Sequence, residues 1–217
     1  MNTLFPIFVK LDQIQILLVG AGAVGLEKLQ AMLGNSPEAK IHVVAEQVGD
    51  GARRLAMANP NVRLSERPFR DEDLEGVDLA VLATDNAGLN GRVRQLASSR
   101  HILLNVADKP ALCDFYLGSV VRKGNLKIGI STNGKSPTIA KRLKEILQDI
   151  LPNELDETLE LMAELRESLK GDLRKKIKVL NEHTKLLTSP NSAVVPHPKE
   201  AQRPANWRDA MAAPLGN

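Results

Sequence analysis

The stretch IQILLVGAGAVGLEK, residues 14–28, decides how the rest of the chain is read. Its apolar run at 16–19 is too short for a helix and rich in strand formers, so it reads as a buried parallel strand. Gly20, Gly22 and Gly25 follow on a G-x-G-x-x-G spacing, and Val24, Leu29, Met32 and Leu33 repeat at helical intervals behind them. Each glycine has a separate task in such a turn. Gly20 makes the tight exit from the strand, Gly22 admits a pyrophosphate to the backbone, and Gly25 lets helix and strand pack closely. The phosphates would sit against the open amides and positive dipole end of a helix starting near Ala23. A glycine turn that binds nothing has the same letters, but its place between strand and helix favours a dinucleotide.

The chain has 217 residues, 43% of them hydrophobic, which is room for one large domain or a domain plus an appendage. Aromatic residues are only 3%, which argues against a stacking platform for single-stranded nucleic acid. A formal charge of +3 is mild; it suits an anionic small molecule and does not point to nucleic acid. Cys113 is the single cysteine, so no internal disulfide can form and a reducing compartment is expected. No leader-like segment is seen and no apolar run nears the ~20 residues that cross a bilayer. The expectation is a soluble, cytoplasmic protein without membrane or nucleic-acid partners.

The segment 1–12 reads as an extended lead-in whose Leu4, Phe5, Ile7 and Phe8 cover a sheet edge or core. Helices are expected at 23–33, 48–57, 71–74 and 87–99, and strands at 41–45, 62–64, 77–83 and 102–106. This alternation implies a parallel sheet covered on both faces, an α/β fold of Rossmann-like design. Glu46, followed by Gln47, stands where such a fold sets an acid on the adenosine ribose, which would favour NAD over NADP; capping of the next helix is the competing role. Thr84, Asp85 and Asn86 end a strand where ligands bind in open sheets, and also suit a helix cap. After Asp108 the pattern changes to β-like runs at 115–121 and 126–130 joined by a hairpin signal at 122–125. A polar loop, 131–137, leads into a helix at 138–151 with Pro137 in its first turn. Apolar positions from Leu155 to Leu187 then recur at helical spacing, with Gly171 as a break; their basic face reads as solvated. The proline-rich remainder from Thr188 reads as disordered, with Trp207 a conceivable partner anchor. The domains are therefore 1–113, a dinucleotide-binding sheet; 114–151, a small α/β segment; 152–187, helical; and 188–217, a tail.

Several segments together resemble one family: 6–8, the glycine loop with Val24 and Lys28, 83–86, 105–108, 112–115, and 131–137 with Ile139 and Ala140. The set is similar to the precorrin-2 dehydrogenase family, the amino-terminal module of siroheme synthases and also a free-standing enzyme. The resemblance spans about residues 3–152 and extends loosely to 187. It implies NAD-dependent oxidation of precorrin-2 to sirohydrochlorin, towards siroheme or cobalamin, and in some members insertion of ferrous iron. It also implies a Rossmann domain, a dimerising α/β segment and a helical domain in an interlocked homodimer. Departures include Gly25 where the family usually has alanine, Asn133 where it has glycine, and Gly118 where it has proline.

The resemblance assigns catalysis to Asp108, which the residues alone would allow as a mere turn aspartate before Lys109 and Pro110. The reaction removes a hydride and a proton, so the protein must orient the reactants and accept the proton. Gly20, Gly22, Ala23, Val24, Gly25, Glu46, Gln47, Thr84 and Asp85 are the cofactor candidates. Ser131, Thr132, Lys135 and Ser136 are candidates for the carboxylates of a tetrapyrrole, with Lys141 and Arg142 as further positive charges. Asp114 reads as structural and Cys113 as core. His42, His101, His183 and His197 show no metal-ligand spacing, so no metal site is assigned. A non-catalytic dimeric NAD-binding regulator, or a chelatase without dehydrogenase activity, would carry much of the same pattern; Asp108 and the 131–137 loop favour the enzyme.

Overall fold

The computed structural model describes residues 4–152 and 155–168, which separate into two compact units with the boundary between Leu117 and Gly118. In the first, five strands lie in the order β3-β2-β1-β4-β5, all parallel: β1 Gln15–Ala21, β2 Lys40–Val48, β3 Val62–Glu66, β4 Leu79–Leu82 and β5 Leu103–Val106. Side chains alternate across β1. Ile16 and Leu18 join Ile41, Val43 and Val81 under α1 (Ala23–Asn35) and α2 (Asp50–Met57). Leu17 and Val19 join Val44, Leu82 and Leu104 under α3 (Ala87–Ser99). Both faces are dry, which explains why these strands read as continuous apolar runs.

The helices follow their local signals. α1 buries Gly25, Leu29, Met32 and Leu33 on one face and stops before Ser36 and Pro37. Val24, expected on the apolar face, is 39% exposed because that face runs through position 25 instead. Gly49, with no side-chain bond, caps α2, so the proposed capping role of Glu46 is not realised. Asn86 caps α3 by accepting the Leu89 amide at 3.0 Å. The short helix expected at 71–74 is present as a single 3-10 turn, Asp71–Leu74.

Two expectations are corrected. The lead-in is not paired with the sheet: Phe5, Ile7 and Phe8 are 85%, 61% and 72% exposed, while Leu11 and Ile14 pack on the core in their place. The run at 115–121 is strand only from Ser119, because Phe115 turns back onto the first core and its carbonyl accepts the Asn105 side chain at 2.8 Å.

The second unit holds the antiparallel pair β6 (Ser119–Lys123) and β7 (Leu126–Ile130), joined by Gly124 and Asn125. Helix α4, Pro137–Ile150, follows with Pro137 in its first turn and Ser136 as cap, and buries Ala140. Helix α5 is Leu155–Ser168. The break at Gly171, the remaining helical positions to 187, His183, His197, Trp207 and the proline-rich tail lie outside the described residues. No helix of the described residues is long and apolar enough to cross a membrane.

Candidate functional site

β1 has neighbours on either side that continue the chain in opposite directions, β2 next and β4 later, so the sheet switches direction between β1 and β4. Ligands of open α/β sheets bind beyond the carboxyl ends of the strands at this point. Gly20 leaves β1 with φ +99°, and a Cβ there would strike the Ala83 carbonyl. A Cβ on Gly25 would strike the Gly20 carbonyl. Only glycine permits this packing of loop, helix and neighbouring strand. Gly22 differs: its φ is −76° and a Cβ would meet nothing within 4 Å. It therefore fronts open space at the start of α1.

The first intrahelical bond of α1 runs from the Leu26 amide to the Gly22 carbonyl at 2.9 Å. The amides of Ala23, Val24 and Gly25 precede that ladder, and they point out of the helix end towards the open side of Gly22. Across the switch point, the Ala83 amide donates to Val19 at 2.8 Å and brings Thr84 and Asp85 beside the glycine loop. Thr84 is held from both sides: its hydroxyl accepts the Asn86 backbone amide at 3.1 Å, and its carbonyl accepts the side-chain Nδ2 of buried Asn90 at 3.0 Å. Asp85 is exposed. Glu46 and Gln47 are exposed near the end of β2, on the other side of β1. The cofactor candidates thus gather along the ends of three adjacent strands.

Asp108 follows β5, the strand beyond β4, about 10 Å from β1 by two strand spacings. It is exposed, with φ +57°, in a turn closed by the Lys109 amide on the Val106 carbonyl at 3.2 Å. A left-handed non-glycine residue is uncommon and is tolerated best by Asn and Asp. The chain then doubles back along β5. The Asp114 amide donates to the Leu104 carbonyl at 2.7 Å, and the Leu104 amide returns a bond to the Asp114 carboxylate at 3.0 Å. Arg94 of α3 meets the same carboxylate at 2.6 Å. Burial pushes the Asp114 carboxyl up, but the Arg94 guanidinium and the Leu104 amide outweigh it and hold it below the usual aspartate value. The structural reading of Asp114 is thereby given its partners. Arg94 carries no local signal for this pairing, since its partner is 20 residues away.

The 131–136 loop belongs to the second unit. The Thr132 hydroxyl donates to the Ser136 carbonyl at 3.1 Å and accepts the Ser136 amide at 3.2 Å. Ser136 accepts the Ile139 amide at 3.2 Å, and Ser131 accepts the Asn133 amide at 3.2 Å. These hydroxyls shape the loop and cap α4; Lys135 is exposed beside them. Lys141 and Arg142 line an open hollow of about 340 Å³ with Pro137 and Thr138. Asn133 has φ +54°, which explains a glycine preference at this position. Among the described residues no three His, Cys, Asp or Glu side chains are placed so that they could hold a metal ion.

A family model described as "Putative NAD(P)-binding" matches residues 7–119, more than half of the chain and all five parallel strands. The chain belongs to this NAD(P)-binding family. A second model, for the central region of sirohaem biosynthesis proteins, matches residues 123–150, which hold most of the hairpin and α4. Siroheme synthase of Neisseria meningitidis serogroup C is 34% identical over 170 residues, covering 78% of this chain and 35% of the relative. Siroheme synthase 1 of Pectobacterium atrosepticum is 35% identical over 168 residues, 77% of this chain and 34% of the relative. The chain thus spans about a third of the length of these curated relatives. Among solved structures, SirC, a precorrin-2 dehydrogenase, is 25% identical with a TM-score of 0.67, covering 82% of this chain and 88% of that one.

The site fits the dinucleotide of this NAD(P)-binding family on its own geometry. The space in front of Gly22 is what a Cβ would fill, and the helix amides border it.

Proposed function

We propose that this chain oxidises precorrin-2 to sirohydrochlorin, with NAD as hydride acceptor and Asp108 as proton acceptor. The observation that carries the reading is the exposed Asp108, set on a left-handed turn at the carboxyl end of β5, one strand from the switch point. Strained backbone of this kind clusters at functional sites. The likeness to SirC along most of both chains and the siroheme synthase relatives supply the substrate class.

NAD supplies the hydride acceptor when bound; the chain's part is to hold it and to take the proton. The amides of Ala23, Val24 and Gly25 would hold the pyrophosphate, with Gly20 and Gly22 shaping the approach. Glu46, exposed at the end of β2, suits a ribose diol and would repel a 2′-phosphate, which favours NAD over NADP. Thr84 and Asp85 would border the cofactor from β4. The Asp108 carboxylate would accept the proton as the hydride leaves the substrate, and a bound macrocycle that strips water from a carboxylate raises its basicity. In the second unit, Lys135 with Ser131, Thr132 and Ser136 would meet substrate carboxylates. A homodimer is part of the same reading, supported by the exposed stripe Ile139, Leu143 and Ile146 on α4; sedimentation equilibrium tests it.

The test is an anaerobic assay with precorrin-2 and NAD, following NADH and sirohydrochlorin absorbance, with Asp108→Asn alongside. Asparagine tolerates the φ of +57°, so the variant removes the charge and keeps the turn. NAD affinity is expected to hold while turnover falls about 100-fold or more. Wild-type turnover in the variant would remove Asp108 from the chemistry, and NAD binding with no oxidation by the parent chain would favour the regulatory reading. Sirohydrochlorin with ferrous ion in a second cuvette tests metal insertion separately.

A further inference from the structure

The turn that presents Asp108 lies between the last ladder bond of β5, from the Ala107 amide to the Leu82 carbonyl at 2.9 Å, and a 3-10 turn at Pro110–Leu112, and a side chain ties these backbone pieces together. Residues 106–109 form the turn, and both ends meet the same atom. Cys113 Sγ accepts the Val106 amide at 3.2 Å, and the thiol proton has the Val106 carbonyl at 3.2 Å and the Lys109 carbonyl at 3.3 Å within reach. The Asn105 side-chain Nδ2 approaches the same sulfur at 3.6 Å. A thiol has one proton, so it donates to one carbonyl at a time while sulfur accepts from Val106. With the proton on the Lys109 carbonyl the sulfur bridges both ends of the turn; with the proton on the Val106 carbonyl it holds the first end twice.

The placing of Cys113 is itself secured. The next residue, Asp114, exchanges two hydrogen bonds with Leu104 and pairs with Arg94, and the Phe115 carbonyl is bonded by Asn105. The returning segment is therefore locked to β5 immediately beyond the thiol. Asp108 is the one residue of the turn with positive φ, a conformation that persists for a non-glycine residue where its surroundings over-determine it.

We infer that Cys113 is a positioning residue for the proposed reaction: its thiol clamps the 106–109 turn and so aims the Asp108 carboxylate. This rests on the reading of Asp108 given above. The sequence alone placed Cys113 in the core, and its half-buried side chain does pack against the second core, with its sulfur bonded to backbone besides. It bonds backbone on both sides of the residue whose direction matters.

The experiment compares Cys113→Val, which keeps the bulk and loses the bonds, with Cys113→Ser, which keeps a donor and an acceptor. Both are assayed for kcat with precorrin-2 and for NAD affinity, with Asp108→Asn in parallel. Cys113→Val is expected to lower kcat about tenfold, within what small misplacement of a reacting group costs. NAD affinity should stay within about twofold, because the glycine loop lies two strands away. Cys113→Ser should retain at least about a third of parental kcat, the rescue that a purely space-filling role would not give. A loss of kcat smaller than about fivefold in Cys113→Val, serine falling as far as valine, or NAD affinity falling in step with kcat would each overturn the inference. Should valine fail to fold, Cys113→Ala is read in its place, and failure of both would assign the thiol to folding and overturn it too. If Asp108→Asn turns over like the parent, the reading of Asp108 fails and takes this inference with it. If Asp108→Asn is crippled while Cys113→Val is not, the clamp alone is refuted.

Discussion

Gly20 and Gly22 stand two residues apart and should fail in opposite ways when a methyl group is added. At Gly20 the φ of +99° is closed to alanine, and the new Cβ would strike the Ala83 carbonyl, which is backbone and cannot swing aside. At Gly22 the φ of −76° is open to any residue and the added Cβ meets nothing. Gly20→Ala is therefore expected to destabilise the first unit by about 2–5 kcal/mol. Gly22→Ala should change stability by less than about 0.5 kcal/mol. Its loss should appear in NAD affinity, about tenfold or more, because the methyl occupies the pyrophosphate's approach. Thermal melts paired with NAD titrations read both numbers. A Gly22→Ala chain that binds NAD like the parent would show that the pyrophosphate does not lie there.

Elements were legible where their signals are local. The apolar runs, the glycine spacing, Pro37 and Pro60 after helices, Asn86 before α3 and Pro137 in α4 each act within a few residues, and the structure follows them. What local pattern cannot carry is the partner of a polar group far along the chain. Asp114 and Cys113 read as separate residues until the return of the chain along β5 gives them Arg94 and Val106 as partners, and the exposed lead-in read as buried because apolar letters do not say where their cover is. The hairpin shows the same limit. Its turn falls inside the hairpin signal at 122–125, but its support comes from α5, 31 residues on. Asp156 accepts the Asn125 backbone amide at 2.6 Å and its side-chain amide at 2.9 Å, and it fills the space where a Cβ on Gly124 would stand. Asp156→Ala should cost about 1.5–3 kcal/mol, as expected for charge-assisted bonds, and loosen α5 from the turn. Amide exchange should then quicken in β6, β7 and α5 and not in the parallel sheet; equal quickening in the sheet would contradict this.

For the molecule as a whole, acid is the condition that tests several contacts at once. Five groups of the first unit have shifted titration: Arg67 and Arg94 are raised by their carboxylate partners, and the three that titrate from neutral pH into acid are all lowered. Asp73 is held below the usual aspartate range chiefly by the Arg67 guanidinium, at 2.5 and 2.8 Å; burial opposes this and the Arg70 amide adds to it. Asp114 is lowered as described. His42, bonded to Ser65 at 2.9 Å, is lowered by burial first and then by Arg63 and Arg67, with Asp73 opposing. In each of these three cases the unfolded chain takes up the proton at a higher pH than the native one does, so stability rises with pH across each titration. Going down, the His42 contribution begins to fall near the ordinary histidine value of about 6.5, and the two aspartates follow from about 3.9 through their lower native values. Asp73→Asn should therefore lose about 1.5–3 kcal/mol at pH 7, because its side chain is only 6% exposed and its Arg67 partner 28%. The gap between parent and variant should narrow as the pH falls below the aspartate range, since the parent then gives up the same charge. Urea unfolding at pH 7, 5, 4 and 3 measures that gap directly. A gap that stays constant to pH 3 would mean that Asp73 stabilises the turn after β3 by shape and not by its charge.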